Sequence, residues 1–282
     1  MTSIKSELLI DGNVLRENIV SIKKRLPEDS KFLAVIKSDA YGHNLTNIVN
    51  DIDDLVDGFG VVRIEEALEI RKHSNKKILL MQGVYSKEDF TLSRKQQFDL
   101  VIHNLFQFNI VKNEESFERF WFKVNTGMNR LGFEIDDFLK IYDENLQDKK
   151  FILMSHLASS NEKNNSANKN QFKLFNDLSK NLHKDVKKSI ANTGCIFNYP
   201  EYSFDWVRCG IGIYGGYLKD KKLKTAMTLR SPIINLREIR KGEKVGYDGR
   251  ATAEKDMKIA SIYLGYADGL PVTIKDGTAV MV

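Results

Sequence analysis

The sequence predicts an α/β fold: a closed (βα)8 barrel of the TIM type, followed by a partial all-β domain. Three observations predict it. At 282 residues the chain is long enough for one barrel of about 250 residues with some chain left over. From residue 32 onward, short apolar β-branched runs alternate with longer amphipathic segments, which is the pattern of βα units wound on a parallel sheet. Past residue 217 this alternation stops, and strands follow one another with no long helix between them.

The predicted barrel strands are, in order, 32–36, 58–62, 78–81, 100–103, 120–124, 151–156, 189–192 and 206–214. Polar residues fall at their carboxyl ends, where chemistry gathers in this architecture. Lys37, Lys123, His156, Thr193 and Arg208 each close or immediately follow one of the strands. Any one of them alone reads as a satisfied structural residue, whereas their convergence on one rim reads as a site. Beyond the barrel, 227–238 and 259–265 read as strands separated by the glycine-bearing loop 242–250, and 276–282 as a turn and the start of a further strand. The predicted domains are therefore a barrel over 1–216, with 1–11 a strand packing with the C-terminal domain, and an incomplete β domain over 217–282.

Composition narrows the classes of function. The formal charge of +5 is spread through helix-like segments such as 64–77 and 179–188, with no interleaved aromatics, so it reads as solvated faces and not as a nucleic-acid footprint. Residues 1–11 carry no apolar core with a cleavage site, and no run is long enough to span a bilayer. Cys195 and Cys209 match neither a C-x-x-C motif nor a disulfide framework and are read as reduced thiols. A cytoplasmic protein with no metal, membrane or nucleic-acid partner is expected.

Lys37 is the most informative residue. It ends an apolar run, and desolvating an ammonium at the mouth of a core strand is costly and lowers its pKa. An amine so perturbed is a nucleophile, and condensation with an aldehyde to a Schiff base is the chemistry that anchors pyridoxal 5'-phosphate (PLP). Tyr41, in the turn entering a helix, is placed to offer its hydroxyl to the cofactor's phosphate. The alternative for Lys37 is a snorkelling side chain at a strand end.

Seven ordered motifs extend this reading over nearly the whole chain. They are Ala34-Val-Ile-Lys-Ser-Asp-Ala-Tyr-Gly-His43, Lys123-Val-Asn-Thr-Gly-Met-Asn-Arg-Leu-Gly132, Ser155-His-Leu-Ala158, Ala191-Asn-Thr193, Val207-Arg-Cys-Gly-Ile-Gly-Ile-Tyr-Gly215, Val245-Gly-Tyr247 and Gly265-Tyr-Ala-Asp-Gly269. In these the chain resembles the bacterial alanine racemases, PLP enzymes built from an N-terminal barrel and a C-terminal β domain.

The resemblance implies that Lys37 forms the internal aldimine, that His156 packs near the cofactor ring, and that Arg208 faces the pyridine nitrogen. A guanidinium does not give up its proton, so that nitrogen would stay unprotonated and the ring would be a weakened electron sink. The phosphate would be held by Tyr41, the Thr193 hydroxyl and the backbone N–H groups of Gly210 and Ile211. Family members often carry Ser where Thr193 stands and usually Pro where Cys209 stands. Racemisation through the external aldimine needs two bases, Lys37 on one face and, from the partner subunit of a homodimer, the tyrosine aligned with Tyr247 on the other. A phenol of reference pKa about 10 needs help to act as a base, and His156 is a plausible neighbour. Arg130 would position the substrate carboxylate, Tyr266 would line the substrate entrance, and Lys123 matches a position that can be carbamylated. Asn125 stands where the family usually has Asp. The strand barely begun at 276–282 marks 217–282 as incomplete, and full-length members continue beyond the position of Val282.

The implied function is interconversion of L- and D-alanine, supplying D-alanine for peptidoglycan. The alternatives are a non-catalytic PLP-binding barrel, a broad-specificity amino-acid racemase, and a fragment that binds the cofactor without turnover.

Overall fold

The computed structural model describes residues 5–281. They form two compact units, 11–226 and, among the described residues, 5–10 together with 227–281. Residues 1–4, part of the expected N-terminal strand, lie outside the described residues.

Strand β1 (Glu7–Ile10) belongs to the smaller unit. The larger unit holds β2 (Lys31–Val35), β3 (Gly58–Val61), β4 (Lys77–Leu80), β5 (Asp99–Ile102), β6 (Phe120–Lys123), β7 (Ile152–Met154), β8 (Lys187–Ser189) and β9 (Trp206–Cys209). All their pairings are parallel, and β9 returns to lie beside β2. The ring closes between β8 and β9, where Arg208 N donates to Ala191 O at 2.9 Å and Ser189 Oγ donates to Trp206 O at 2.8 Å. The expected (βα)8 barrel is what forms.

Helix starts fix the strand tops. The helices Lys87–Lys95 and Leu105–Val111 begin on Ser86 and Asn104, whose side chains accept from backbone N–H groups of the first turn. Each helix thus leaves the sheet soon after its strand, which sets the strand's carboxyl end at the barrel mouth. Inside the ring, Leu33, Leu79, Val101, Trp121, Ile152 and Trp206 pack into one buried cluster, with the two indoles 5.6 Å apart. The lumen is therefore a filled core and any ligand must bind above it. At the opposite end, the fully buried Asp99 accepts from Trp121 Nε1 at 3.1 Å and pairs with Lys77 and Arg119.

Three strand expectations need correction. The run 206–214 is a strand only to Cys209. Gly210–Tyr214 instead turns, with Ile213 N donating to Gly210 O at 2.9 Å. The run 189–192 ends at Ser189, because the Asn192 side chain turns to cap the helix Thr193–Asn198. The run 227–238 is two strands, β10 (Met227–Arg230) and β11 (Ile233–Ile239), broken at Pro232, which has no N–H for a ladder.

In the smaller unit β1 pairs antiparallel with β10. The others are β12 (Lys244–Val245), β13 (Ala251–Thr252) and β14 (Met257–Ile262); β12 pairs with β13 and β11 with β14. Among the described residues no helix is long and apolar enough to cross a membrane, and no cluster of His, Cys, Asp and Glu could hold a metal ion.

Candidate active site

Lys37 opens a turn of unusual handedness. Ser38, Asp39, Ala40 and Tyr41 all sit in the left-handed helical region, with φ between 53° and 56°, although none is glycine. Each such residue costs roughly 1–2 kcal/mol, so the surroundings must impose the conformation. They do so through hydrogen bonds: Ala40 N donates to Ile36 O, Leu45 N to Asp39 Oδ1, and both Ser38 N and Asp39 N to Glu66 Oε1. The turn swings Tyr41 back towards Lys37, whose Nζ lies 6.0 Å from the phenol ring centroid. Tyr41 packs against Tyr214 at 5.2 Å, and burial raises its pKa, so it remains a neutral donor at physiological pH.

Arg208 is buried within β9 and meets no carboxylate among the described residues. Its guanidinium donates to Ser189 Oγ at 2.5 Å, Ser155 O at 2.6 Å and His156 Nδ1 at 3.2 Å. Burial pushes it down to about 10, which still leaves it charged at neutral pH. Because a guanidinium only donates, His156 Nδ1 accepts, and a neutral His156 carries its proton on Nε2. The ring is neutral because burial, then Arg208, Lys123, Arg130 and Lys37, hold its pKa well below the ordinary value. Those cations surround one histidine, so they share one neighbourhood.

Lys123, the last residue of β6, is also buried, and burial together with Arg208 and Arg130 lowers it to about 8. The segment after it is pinned at both ends, by Phe133 N donating to Lys123 O and Asn125 N donating to Phe133 O. Asn125 organises what lies between. Its Oδ1 accepts from Gly127 N and Asn129 N, while its Nδ2 donates to Asn129 Oδ1 at 2.9 Å and Glu134 Oε1 at 3.0 Å. An amide is the side chain that satisfies both roles here, and Arg130 is carried on this loop.

Across the mouth, Asn192 accepts from Ser160 Oγ and Cys195 N, which sets the buried Thr193 at the start of its helix. Thr193 Oγ1 accepts from Gly212 N at 3.4 Å and lies 3.4 Å from Cys209 Sγ. The backbone N–H groups of Gly210 and Ile211 meet no acceptor among the described residues. A Cβ at Gly210 would come to 3.0 Å from Tyr41 Oη, so a larger residue here would have to push the phenol aside.

One cavity of about 560 Å³ gathers these groups. Lys37, Tyr41, Lys123, Arg130 and His156 line it, as do Thr193, Arg208, Gly210 and Ile211. Four of the nine are cations, and no Asp or Glu is among the lining residues. Tyr247 and Tyr266 belong to the other unit, where each sits in a short 3-10 turn, 90% and 69% exposed. The sequence reading missed Glu66, Asn192, Ser155 and Ser189. Glu66 had a local signal as an acidic residue in the first turn of the helix Ile64–Arg71, and Ser155 and Asn192 stood inside quoted motifs, Asn192 as the cap of Thr193–Asn198, whereas Ser189 had none.

The comparisons with known proteins agree with this arrangement. The N-terminal domain model of alanine racemase matches residues 10–218, and the C-terminal domain model matches residues 226–282. The alanine racemase of Shewanella denitrificans is 35% identical over 287 residues, covering 96% of this chain and 78% of that protein. The biosynthetic alanine racemase of Pseudomonas aeruginosa superposes with a TM-score of 0.89 at 31% identity, covering 98% of this chain and 80% of that one. A Bartonella henselae alanine racemase solved with covalently bound pyridoxal phosphate shares the fold, with a TM-score of 0.83 at 24% identity over 95% of this chain and 78% of that one. With barrel and C-terminal domain both matched, the chain belongs to the alanine racemase family.

Proposed function

We propose that this chain interconverts L- and D-alanine with pyridoxal 5'-phosphate held at the barrel mouth. The observation that carries the reading is the cavity whose lining has four cations and no carboxylate, with two backbone N–H groups that meet no acceptor among the described residues beside the Thr193 and Tyr41 hydroxyls. Such a site is built for an anion.

The residues fit the cofactor. Thr193 Oγ1, Tyr41 Oη and the N–H groups of Gly210 and Ile211 offer a phosphate four donors without bringing in another charge. Arg208, fixed by Ser155 O and Ser189 Oγ, would offer a ring nitrogen a permanent donor. His156 is held neutral beside it. Pyridoxal phosphate supplies an aldehyde for Lys37 and a conjugated ring that acidifies the hydrogen on the substrate's α-carbon.

The chain's own groups then bind and move protons. Arg130 and Lys123 draw in the substrate carboxylate. A carbamate on Lys123 would turn a cation beside Arg130 into an anion that orients it. Inverting the α-carbon requires a proton to leave one face and another to arrive on the opposite face. Lys37 Nζ serves one face. Tyr247 Oη, from a second copy of the chain, serves the other, and Tyr266 lines the approach. The working form is therefore a homodimer in the cytoplasm, and its product would supply peptidoglycan synthesis. The match of 226–282 to the C-terminal family domain favours this reading over a non-catalytic PLP-binding barrel.

The test is D-alanine formation from L-alanine by the chain loaded with PLP. Lys37→Ala and Tyr247→Phe should each abolish it. Mixing the two inactive variants should restore part of it, because one composite site then holds both native bases. No recovery on mixing would contradict the shared site.

A further inference from the structure

We propose that Glu66 is a positioning residue for the cofactor lysine. Its single carboxylate ties together the backbone after two successive barrel strands. Oε1 accepts from Ser38 N at 2.6 Å and Asp39 N at 3.2 Å, in the left-handed turn after β2. Oε2 accepts from Val62 N at 3.3 Å and Arg63 N at 3.2 Å, in the turn after β3. Four N–H groups from two segments thus converge on one side chain, although Glu66 does not line the cavity.

The need for such an anchor follows from the backbone. Four consecutive non-glycine residues hold positive φ between Lys37 and Gly42, and a free chain of this sequence would turn the other way. The first two N–H groups of that turn point at Glu66 Oε1. Fixing them fixes where Lys37 leaves β2 and where Tyr41 returns beside it. The turn after β3, held by the other oxygen, is part of the rigid barrel rim, so the carboxylate transfers the rim's rigidity to the lysine's turn.

Glu66→Gln is the sharpest variant. It keeps the size of the side chain but replaces one acceptor oxygen by a donor, which must face N–H groups that also donate. The inference rests on Lys37 being the cofactor lysine, so the wild-type chain is the control. Borohydride reduction of the wild type with PLP must label Lys37, and failure there would defeat the functional reading, not the role of Glu66.

Given that label, Glu66→Gln in the apoprotein should speed amide hydrogen exchange at residues 38–42 about tenfold while the β4–β6 amides stay as protected as before. The PLP concentration that half-saturates labelling should rise by a similar factor. Adding Ser38→Gly, which relieves positive φ, should recover much of that affinity. Unchanged exchange at 38–42 would overturn the inference. So would faster exchange with unchanged PLP affinity, which would leave Glu66 a purely structural cap. If Glu66→Gln fails to fold, exchange in the wild type decides. The exposed Ser38 and Asp39 amides must be strongly protected, and unstructured rates there would overturn it.

Discussion

Replacing Lys123 by methionine should make the apoprotein more stable, and the effect should fade as pH rises. The ammonium is 5% exposed, makes no hydrogen bond among the described residues and stands near Arg208 and Arg130. Its pKa falls from 10.5 to about 8, and each unit corresponds to about 1.4 kcal/mol, so folding the charged side chain costs about 3 kcal/mol at pH 7. The sign follows from proton counts. Between pH 8 and 10.5 the unfolded lysine is protonated while the folded one is not, so the wild type gains stability as pH rises through that window. The advantage of Lys123→Met is then about 3 kcal/mol at pH 7, about 1 kcal/mol at pH 9.5, and nothing well above 10.5. Urea denaturation of both apoproteins in carbon dioxide-free buffer at the two pH values reads it directly. Bicarbonate should stabilise the wild type and leave the variant unchanged, because a carbamate removes the buried cation. Equal stability at pH 7, or a pH slope shared by both proteins, would refute the reasoning.

Other sites give separate expectations. Asp99→Ala should cost about 3 kcal/mol in urea denaturation, because Trp121 Nε1 is left buried without an acceptor. The two charged partners soften the loss, since Lys77 and Arg119 still reach water. Gly210→Ala should weaken PLP binding about tenfold by pushing on Tyr41 Oη, with little change in thermal stability; this is measured by fluorescence titration. Asn125→Asp should raise the KM for alanine. It removes two donated bonds and sets a carboxylate about 3 Å from Glu134, a local cost of about 2 kcal/mol on the loop that carries Arg130. Adding Glu134→Gln should bring the KM most of the way back.

Much of the barrel could be read from the chain because most of its strands are short and apolar, and their spacing leaves room for a helix each time. The cation-rich rim was legible for the same reason: a lysine, histidine or arginine at the end of an apolar run is visible in sequence. What was hidden arises from contacts between segments. Nothing in Ser-Asp-Ala-Tyr announces four left-handed residues; the hydrogen bonds that hold them include two to Glu66, 28 positions from Ser38. The acceptors of Arg208, Ser155 O just after β7 and Ser189 Oγ at the end of β8, come from other segments and have no spacing of their own. The early end of β9 at Cys209 was masked by continued apolarity through Tyr214, although the backbone turns there, with Ile213 N donating to Gly210 O. Asn125 could be placed beside the site from its motif. Its dual role as acceptor and donor needed Glu134 in view.

The measurement that tests the central claim most directly is borohydride reduction of the full chain with PLP, followed by peptide mass mapping and a D-alanine assay on the unreduced sample. The account predicts one phosphopyridoxyl group on Lys37, none in Lys37→Ala, and D-alanine formed only by the protein that can be labelled there. Label on another lysine, or racemisation that survives loss of Lys37, would contradict it.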